Sequence, residues 1–294
     1  MEGGIAIAEM MFCSNIIALV GGGAKPKYAT NKVMFWDDLS QQIIGELSFK
    51  TYVKAVKLTK DRVVVVLETR VYVYKFDDLR LIDAIETSPN PLGLVALNLD
   101  PEGQVPALAV PDKNNRGHVL VKFYRTNTYQ EIKIKAHQVA VTALCLNSSG
   151  ALLATASEKG TLIRIFSTES SEPLQELRRG AEKAEIHSIC FDRQSQWLAC
   201  SSDRETIHIF SVTAKHEAKP IDLTDEVHSF DTGDPESVEK KGGPANQKSK
   251  FNFMKGILPK YFDSHWSYAR FKLPQKDTAS QTWSCAFNRE GTTL

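Results

Sequence analysis

Ala154-Thr155-Ala156-Ser157-Glu158-Lys159-Gly160-Thr161-Leu162-Ile163-Arg164-Ile165-Phe166 reads as the end of one short apolar strand, a polar turn, and an alternating strand that closes on an aromatic ring. Working outward, Val141–Leu146 supplies a strand before it, and Leu174–Leu177 one after it. Asn147-Ser148-Ser149-Gly150 and Glu158-Lys159-Gly160 are turn sequences, rich in residues that bond their own backbone or accept unusual dihedral angles. The unit is four short strands in a row, with no segment long enough or suitably periodic for a crossover helix.

The same unit recurs along the 294 residues. Strands ending in an aromatic residue stand at Lys32–Trp36, Val71–Phe76, His118–Phe123, Leu162–Phe166 and Ile207–Phe210. Their last residues are spaced by 40, 47, 43 and 44 positions, close to the ~40–45 of a WD-type propeller blade, and Trp36-Asp37 supplies a literal WD pair. Radial repetition of four-stranded sheets explains both the period and the even strand spacing. The predicted fold is therefore all-β, a WD-repeat-like β-propeller of four-stranded blades. The chain opens on a first strand at Gly3–Ile7, and Ser284–Asn288 reads as another first strand near the other end. The expectation is one incomplete propeller domain over residues 1–294, with about five full blades plus part of another.

The stretch at about 213–266 breaks the pattern. Its first part is acidic, from Asp222 to Glu239, and its second is basic, with Lys240, Lys241, Lys248, Lys250, Lys255 and Lys260. The strand pattern resumes at Tyr268–Leu273, so the stretch is expected as a long loop within the sixth blade's place in the array. Phe251, Met254, Ile257, Leu258 and Tyr261 follow three- and four-residue steps, with Phe253 and Phe262 beside them, and Pro259 limits any helix there. Apolar side chains flanked by lysines suit an interfacial segment, each lysine near an anionic surface contributing up to ~1 kcal/mol.

Composition narrows the function. Lys+Arg 36 against Asp+Glu 35 leaves a net charge of +1, so bulk charge calls for no nucleic-acid partner and anion binding must come from local clusters. The longest apolar run, Val63–Leu67, is a buried strand and far short of a spanning helix. Five cysteines without a C-x-x-C pair read as core thiols of a soluble protein in a reducing compartment. Gly21-Gly22-Gly23-Ala24-Lys25 lacks the ending and the helix of a nucleotide loop. The histidines show no metal spacing, Asp37-Asp38 and Asp77-Asp78 recur as turn residues, and no catalytic triad stands out. No enzyme activity, metal or cofactor is expected.

The sharpest chemical feature is Leu177-Arg178-Arg179-Gly180. Neighbouring side chains in an extended segment point to opposite sides, so Arg178 and Arg179 serve two pockets rather than one. Gly180 is expected to let the chain turn. Ser157, Lys159, Thr161 and Arg164 lie on the blade before the pair, and Ser202, Thr206 and His208 on the blade after it. Guanidinium forks beside hydroxyls and an imidazole suit phosphate oxygens.

On these motifs the chain resembles the PROPPIN family, β-propellers that bind polyphosphoinositides and act in autophagy. The likeness runs from Gly3 to the C-terminus and rests on Leu-Val-Gly-Gly-Gly (19–23), the stretches 31–38 and 154–166, Leu-Arg-Arg-Gly (177–180), and Leu-Pro-Lys-Tyr-Phe (258–262) with Trp266. It implies seven blades in a whole family member and two lipid-headgroup sites. The first would use His137, Ser157, Gly160, Thr161, Arg164 and Arg178; the second would use Arg179, Ser202, Thr206 and His208. It also implies a preference for phosphatidylinositol 3-phosphate and 3,5-bisphosphate, autophagy proteins as partners, and a peripheral place on phagophore, endosomal or vacuolar membranes. The competing reading is a WD-repeat protein scaffold without lipid affinity.

Overall fold

The computed structural model describes residues 3–11, 13–98, 106–124, 129–213, 246, 264–273 and 282–287. Among them every named element is a strand. The chain divides into two compact units, Met1–Val95 with Val110–Arg116, and Ala96–Ala109 with Gly117–Leu294.

The first unit holds two antiparallel sheets, each of four strands in chain order. They are β1 (Ile5–Met10), β2 (Ile16–Gly21), β3 (Lys32–Asp37) and β4 (Gln42–Ser48), then β5 (Ala55–Leu58), β6 (Arg62–Val66), β7 (Arg70–Lys75) and β8 (Leu81–Glu86). Ala18, Val20, Val33 and Phe35 of one sheet share a core with Val56, Leu58, Val63 and Val65 of the other. Val63 to Val66 are sealed from solvent on both faces, which is why that run is uniformly apolar rather than alternating. Asp37 accepts from the Leu39 amide at 3.0 Å and the Ser40 hydroxyl at 2.6 Å, the turn role its position suggests.

Three further sheets follow. The first contains β9 (Ala96–Leu97), β10 (Ala107–Pro111), β11 (His118–Tyr124) and β12 (Tyr129–Lys135). The next contains β13 (Val141–Leu146), β14 (Leu152–Ser157), β15 (Leu162–Ser167) and β16 (Pro173–Arg178). In the last, β17 (Ile186–Phe191), β18 (Trp197–Ser202) and β19 (Thr206–Ser211) are completed by β21 (Ala269–Lys272). The long inserted stretch therefore interrupts this fifth blade between its third and fourth strands, and not a sixth as the sequence suggests, because β21 pairs with β19. Just before β21, the two-residue β20 (His265–Trp266) runs parallel to β16, pairing Leu177 with His265 and Arg178 with Trp266. The strand expected at Ser284–Asn288 does not form among the described residues. Residues 282–287 lie against β17 instead, with the Trp283 amide on His187 at 3.3 Å.

Hydrophobic burial welds the fourth blade to the fifth. Ala154, Ala156, Ile163, Ile165 and Leu177 meet Leu198, Cys200 and Phe210, and most are fully buried. The isoleucines, leucines and Phe210 contribute roughly 1.5–3 kcal/mol each on burial, the alanines less. The turns repeat as well. Asn147 accepts from the Leu152 amide at 3.0 Å, and Asp192 from the Trp197 amide at 2.7 Å, in equivalent places. Asn147 also reaches across to Ser195 at 2.9 Å, tying the two turns together.

Candidate anion-binding sites

Leu177 packs into the core between the fourth and fifth blades, so strand alternation sends Glu176 and Arg178 to the fourth blade's other face. Register places Thr155 opposite Arg164 and Arg164 opposite Glu176, giving one continuous polar row across three strands. Arg164 is the centre of the row. Its Nε donates to Glu176 at 3.0 Å, one terminal nitrogen to the Ala136 carbonyl at 2.9 Å, and the same nitrogen lies 3.5 Å from His137 Nδ1. The far nitrogen of His137 meets the Thr155 hydroxyl at 3.0 Å. Arg178 Nε donates to Ser264 Oγ at 3.2 Å, and that hydroxyl donates to Glu176 at 3.1 Å. Five residues from four separate stretches of the sequence thus form one chain, His137–Arg164–Glu176–Ser264–Arg178.

Arg179 takes the opposite side. Its Nε donates to the Gly160 carbonyl at 2.7 Å and a terminal nitrogen to the Glu182 carbonyl. The face it looks toward is made by alternate residues of the fifth blade: Leu198, Cys200 and Ser202 on β18, and Thr206, His208 and Phe210 on β19. Cys200 is opposite His208, as Thr155 is opposite Arg164, and His208 is opposite Arg270 of β21, as Arg164 is opposite Glu176. The second site therefore repeats the first one blade further on, with arginine where the first has glutamate. His208 Nδ1 lies 3.3 Å from Ser267 Oγ, and its ring stacks on Phe210 at 6.1 Å.

Burial sets the charge states. Arg164, Arg178 and Arg179 are 4%, 7% and 6% exposed, values rare for arginine without partners. Burial pushes the His137 imidazole down to about 3, assisted by the Arg164 charge and opposed by Thr155. His208 is pushed down to about 4 by burial, then by Arg179, then by Arg270. Burial also lowers the Arg179 guanidinium from its ordinary value. Each site pairs a cation with a neutral ring held back from protonation. An arriving phosphate would stabilise the protonated ring and match a guanidinium fork with two oxygens.

The expected residues fall as follows. His137, Arg164 and Arg178 come together, and Ser157 closes β14 nearby, its carbonyl accepting from the Gly160 amide at 2.8 Å. Gly160 and Thr161, expected beside Arg178, are bonded by Arg179: the Thr161 carbonyl accepts the Arg179 amide at 2.9 Å. Gly160 has φ +63, and a Cβ there would sit 1.8 Å from the Ala184 carbonyl, so only glycine fits. Gly180 needs no such freedom. Its φ lies outside the left-handed region and a Cβ would meet nothing within 4 Å, so the turn expected of it does not depend on glycine. Ser202 accepts from the Arg204 amide at 3.3 Å, and Thr206 donates to the Arg204 carbonyl at 3.2 Å.

Glu176, Ser264, Ser267 and Arg270 were not anticipated from sequence. Ser264 stands at the end of the inserted stretch and Ser267 and Arg270 just beyond it, and the parallel β20 and the β21 register bring them in. Asn246, within the insertion, brackets Ser211 with both side-chain atoms, accepting from its amide at 2.6 Å and donating to its carbonyl at 2.5 Å. Phe251, Phe253, Met254, Ile257, Leu258, Tyr261 and Phe262, expected to enter the membrane, lie outside the described residues. No group of three or more His, Cys, Asp or Glu suited to a metal occurs among the described residues. Among the described residues no helix is long and apolar enough to cross a membrane.

Repeated four-stranded antiparallel blades are those of a β-propeller, and comparison with known proteins gives the family. The PROPPIN family model matches residues 3–227, and the chain belongs to that family. Autophagy-related protein 18e of Arabidopsis thaliana is 39% identical over 295 residues, spanning 100% of this chain and 70% of that relative. The structure of Kluyveromyces lactis Hsv2 with its complete loop 6CD shares the fold, with a TM-score of 0.68 at 22% identity over 96% of this chain and 74% of that one. A complex of KlAtg21 with the coiled coil of AgAtg16 contains a chain 28% identical, with a TM-score of 0.60, covering 70% of this chain and 66% of that one.

Proposed function

We propose that this chain is a phosphoinositide-binding adaptor, drawn to membranes that carry phosphatidylinositol 3-phosphate or 3,5-bisphosphate and active in autophagosome formation. The observation that carries the reading is the pair Arg178 and Arg179 on opposite faces of one strand's end, each with a buried neutral histidine and hydroxyls on its own side. Two modest pockets on one rigid support bind a surface better than either alone, because the second contact is made at high effective concentration. In this reading residues 1–294 form a single incomplete propeller, and the apolar residues between Phe251 and Phe262 enter the bilayer beside the pockets. The names of the relatives support a place in autophagy, and the membranes of this reading are phagophore, endosomal or vacuolar. The coiled-coil complex of KlAtg21 supports proteins as further partners.

Co-sedimentation with phosphatidylcholine vesicles, with and without 3-phosphorylated inositol lipid, tests it. Arg178→Ala or Arg179→Ala each removes one charge-assisted bonding fork, about 1.5–3 kcal/mol, or roughly tenfold to a hundredfold in that pocket. The double variant should lose all binding above the level of lipid-free vesicles. Lipid binding equal in wild type and double variant would leave the protein-scaffold reading in its place.

A further inference from the structure

The sequence separates Cys190 from Cys285, but the fold brings their sulfurs within 3.8 Å, with Cys190 the donor. Cys190 lies on β17, the first strand of the fifth blade, and Cys285 on the segment that returns after β21. That segment is seated by several bonds besides the thiol contact. The Ser188 hydroxyl reaches the Cys285 carbonyl at 3.5 Å, the Cys285 thiol the Ser188 carbonyl at 3.8 Å, and the Ser201 hydroxyl the Trp283 carbonyl. The two sulfurs are therefore held beside each other by backbone and side-chain anchors on both sides.

We propose that Cys190 and Cys285 are an oxidisable dithiol whose disulfide fastens the returning segment to the inner strand of the fifth blade. A disulfide needs the sulfurs at about 2.05 Å, an approach that rotation about the two side chains can supply when both backbones are already in place. The two members are also differentiated. Hydrogen bonds from Cys190, Ser188 and Ser201 bring Cys285 down to about 7, despite its burial, whereas Cys190 is pushed up by giving its proton to Cys285 and by burial. Cys285 is then the thiolate that reacts first, since the thiolate is the nucleophile.

The oxidant is a hydroperoxide. The Cys285 thiolate attacks its O–O bond and takes one oxygen as a sulfenic acid, while the other oxygen leaves as hydroxide or alkoxide and is protonated. The Cys190 sulfur then attacks the sulfenic sulfur. The S–S bond forms, the S–O bond breaks, and water departs with the Cys190 proton. Two thiols lose two electrons and the peroxide gains them. The closed loop spans 95 positions and contains the whole inserted stretch together with Ser202, Thr206, His208 and Arg270. A reducing thiol reverses the step by exchange.

The test uses the full reduced chain and one equivalent of hydrogen peroxide. The expected result is the loss of two hydrogens from the intact mass, a Cys190–Cys285 cross-linked peptide on non-reducing digestion, and a melting temperature several degrees above that of the reduced chain. Cys285→Ser should abolish the cross-link, and Cys145→Ser should leave it intact. Should Cys285→Ser fail to fold, differential alkylation of the wild type before and after peroxide gives the same reading, with Cys190 and Cys285 protected together. A cross-link mapping to another pair, oxidation confined to the exposed Cys13, or an oxidised chain that melts below the reduced one overturns the proposal.

Discussion

The fourth and fifth blades build the same polar row and finish it with opposite charges. In the fourth, Glu176 sits across from Arg164 and holds it in a buried ion pair at 3.0 Å, with 5% and 17% of the two side chains exposed. In the fifth, Arg270 sits across from His208, and its charge adds to that of Arg179 in keeping the ring neutral. One pocket has its acid built in, and the other is arranged around cations and an uncharged ring. A buried ion pair is expensive to break from one side, because the charge left behind keeps its desolvation cost without its partner. The first pocket is therefore framework as much as site. The second has the more unbalanced positive character, and in the proposed function it is the one that depends more on an incoming anion.

Substitution at the two equivalent positions breaks this comparison most directly. Glu176→Ala strands Arg164 and removes the acceptor of Ser264, so it should cost about 3 kcal/mol of stability, measured by denaturant unfolding. Arg270→Ala lies on a strand at the blade's exposed outer edge, and should change stability by less than about 0.5 kcal/mol. Its effect belongs to ligand. Binding of a soluble inositol phosphate should weaken several-fold in Arg270→Ala, with a shallower dependence on salt. Equal stability losses in the two variants would show that the fourth-blade pair carries no special burden.

Acid separates the same two sites more gently. Unfolded histidine titrates near 6.5, while His137 and His208 stay neutral in the fold down to about 3 and about 4. Above pH 7 both rings are neutral in either state and contribute nothing to pH dependence. Below pH 6.5 the unfolded chain binds protons that the fold refuses, so stability falls with falling pH. The slope is about 1.4 kcal/mol per pH unit for each ring once well below 6.5. At pH 5.5 the two together should cost roughly 2–3 kcal/mol. An anion in either pocket raises the ring's proton affinity, so occupancy should recover part of the loss. Unfolding curves at pH 7 and 5.5, with and without inositol phosphate, measure both effects, and a pH-independent midpoint would contradict the buried neutral rings.

How much of this was legible follows from which forces leave a local trace. The third strand of each blade was marked by its aromatic end, a local feature of the sequence, and in the fourth and fifth blades that ring, Phe166 or Phe210, is buried. The division of Arg178 and Arg179 between two faces followed from strand alternation alone. Glu176 was equally within reach, two residues before Arg178, but an acid beside a proposed anion pocket gives no sequence signal in its favour. Ser264, Ser267 and Arg270 were illegible for a different reason. They enter through pairing with β16 and β19, across an insertion that carries no strand period, and register between strands so far apart in sequence is decided by the assembled blade. The Cys190–Cys285 contact was hidden in the same way.

The smallest effect tests whether the two blades are copies down to their turns. The turn after β14 places Gly160 at φ +63, and the matching turn after β18 places Glu205 at φ +52. Glycine is obligatory in the first because the Ala184 carbonyl fills the space a Cβ needs. In the second a glutamate bears the left-handed conformation, at a cost of roughly 1–2 kcal/mol relative to an unstrained residue. Its backbone carbonyl still accepts the Leu273 amide at 2.7 Å, a bond to the end of β21 that any residue at 205 can make. Glu205→Gly removes the strain and keeps that bond, but glycine loses more freedom on folding, about 0.5–1 kcal/mol. The net should be a gain of about 0.5 kcal/mol, read as a small rise in the unfolding midpoint with unchanged lipid binding. A clear loss of stability would mean that the Glu205 side chain holds the turn in a way Gly160 does not, and that the likeness of the two blades ends at their strands.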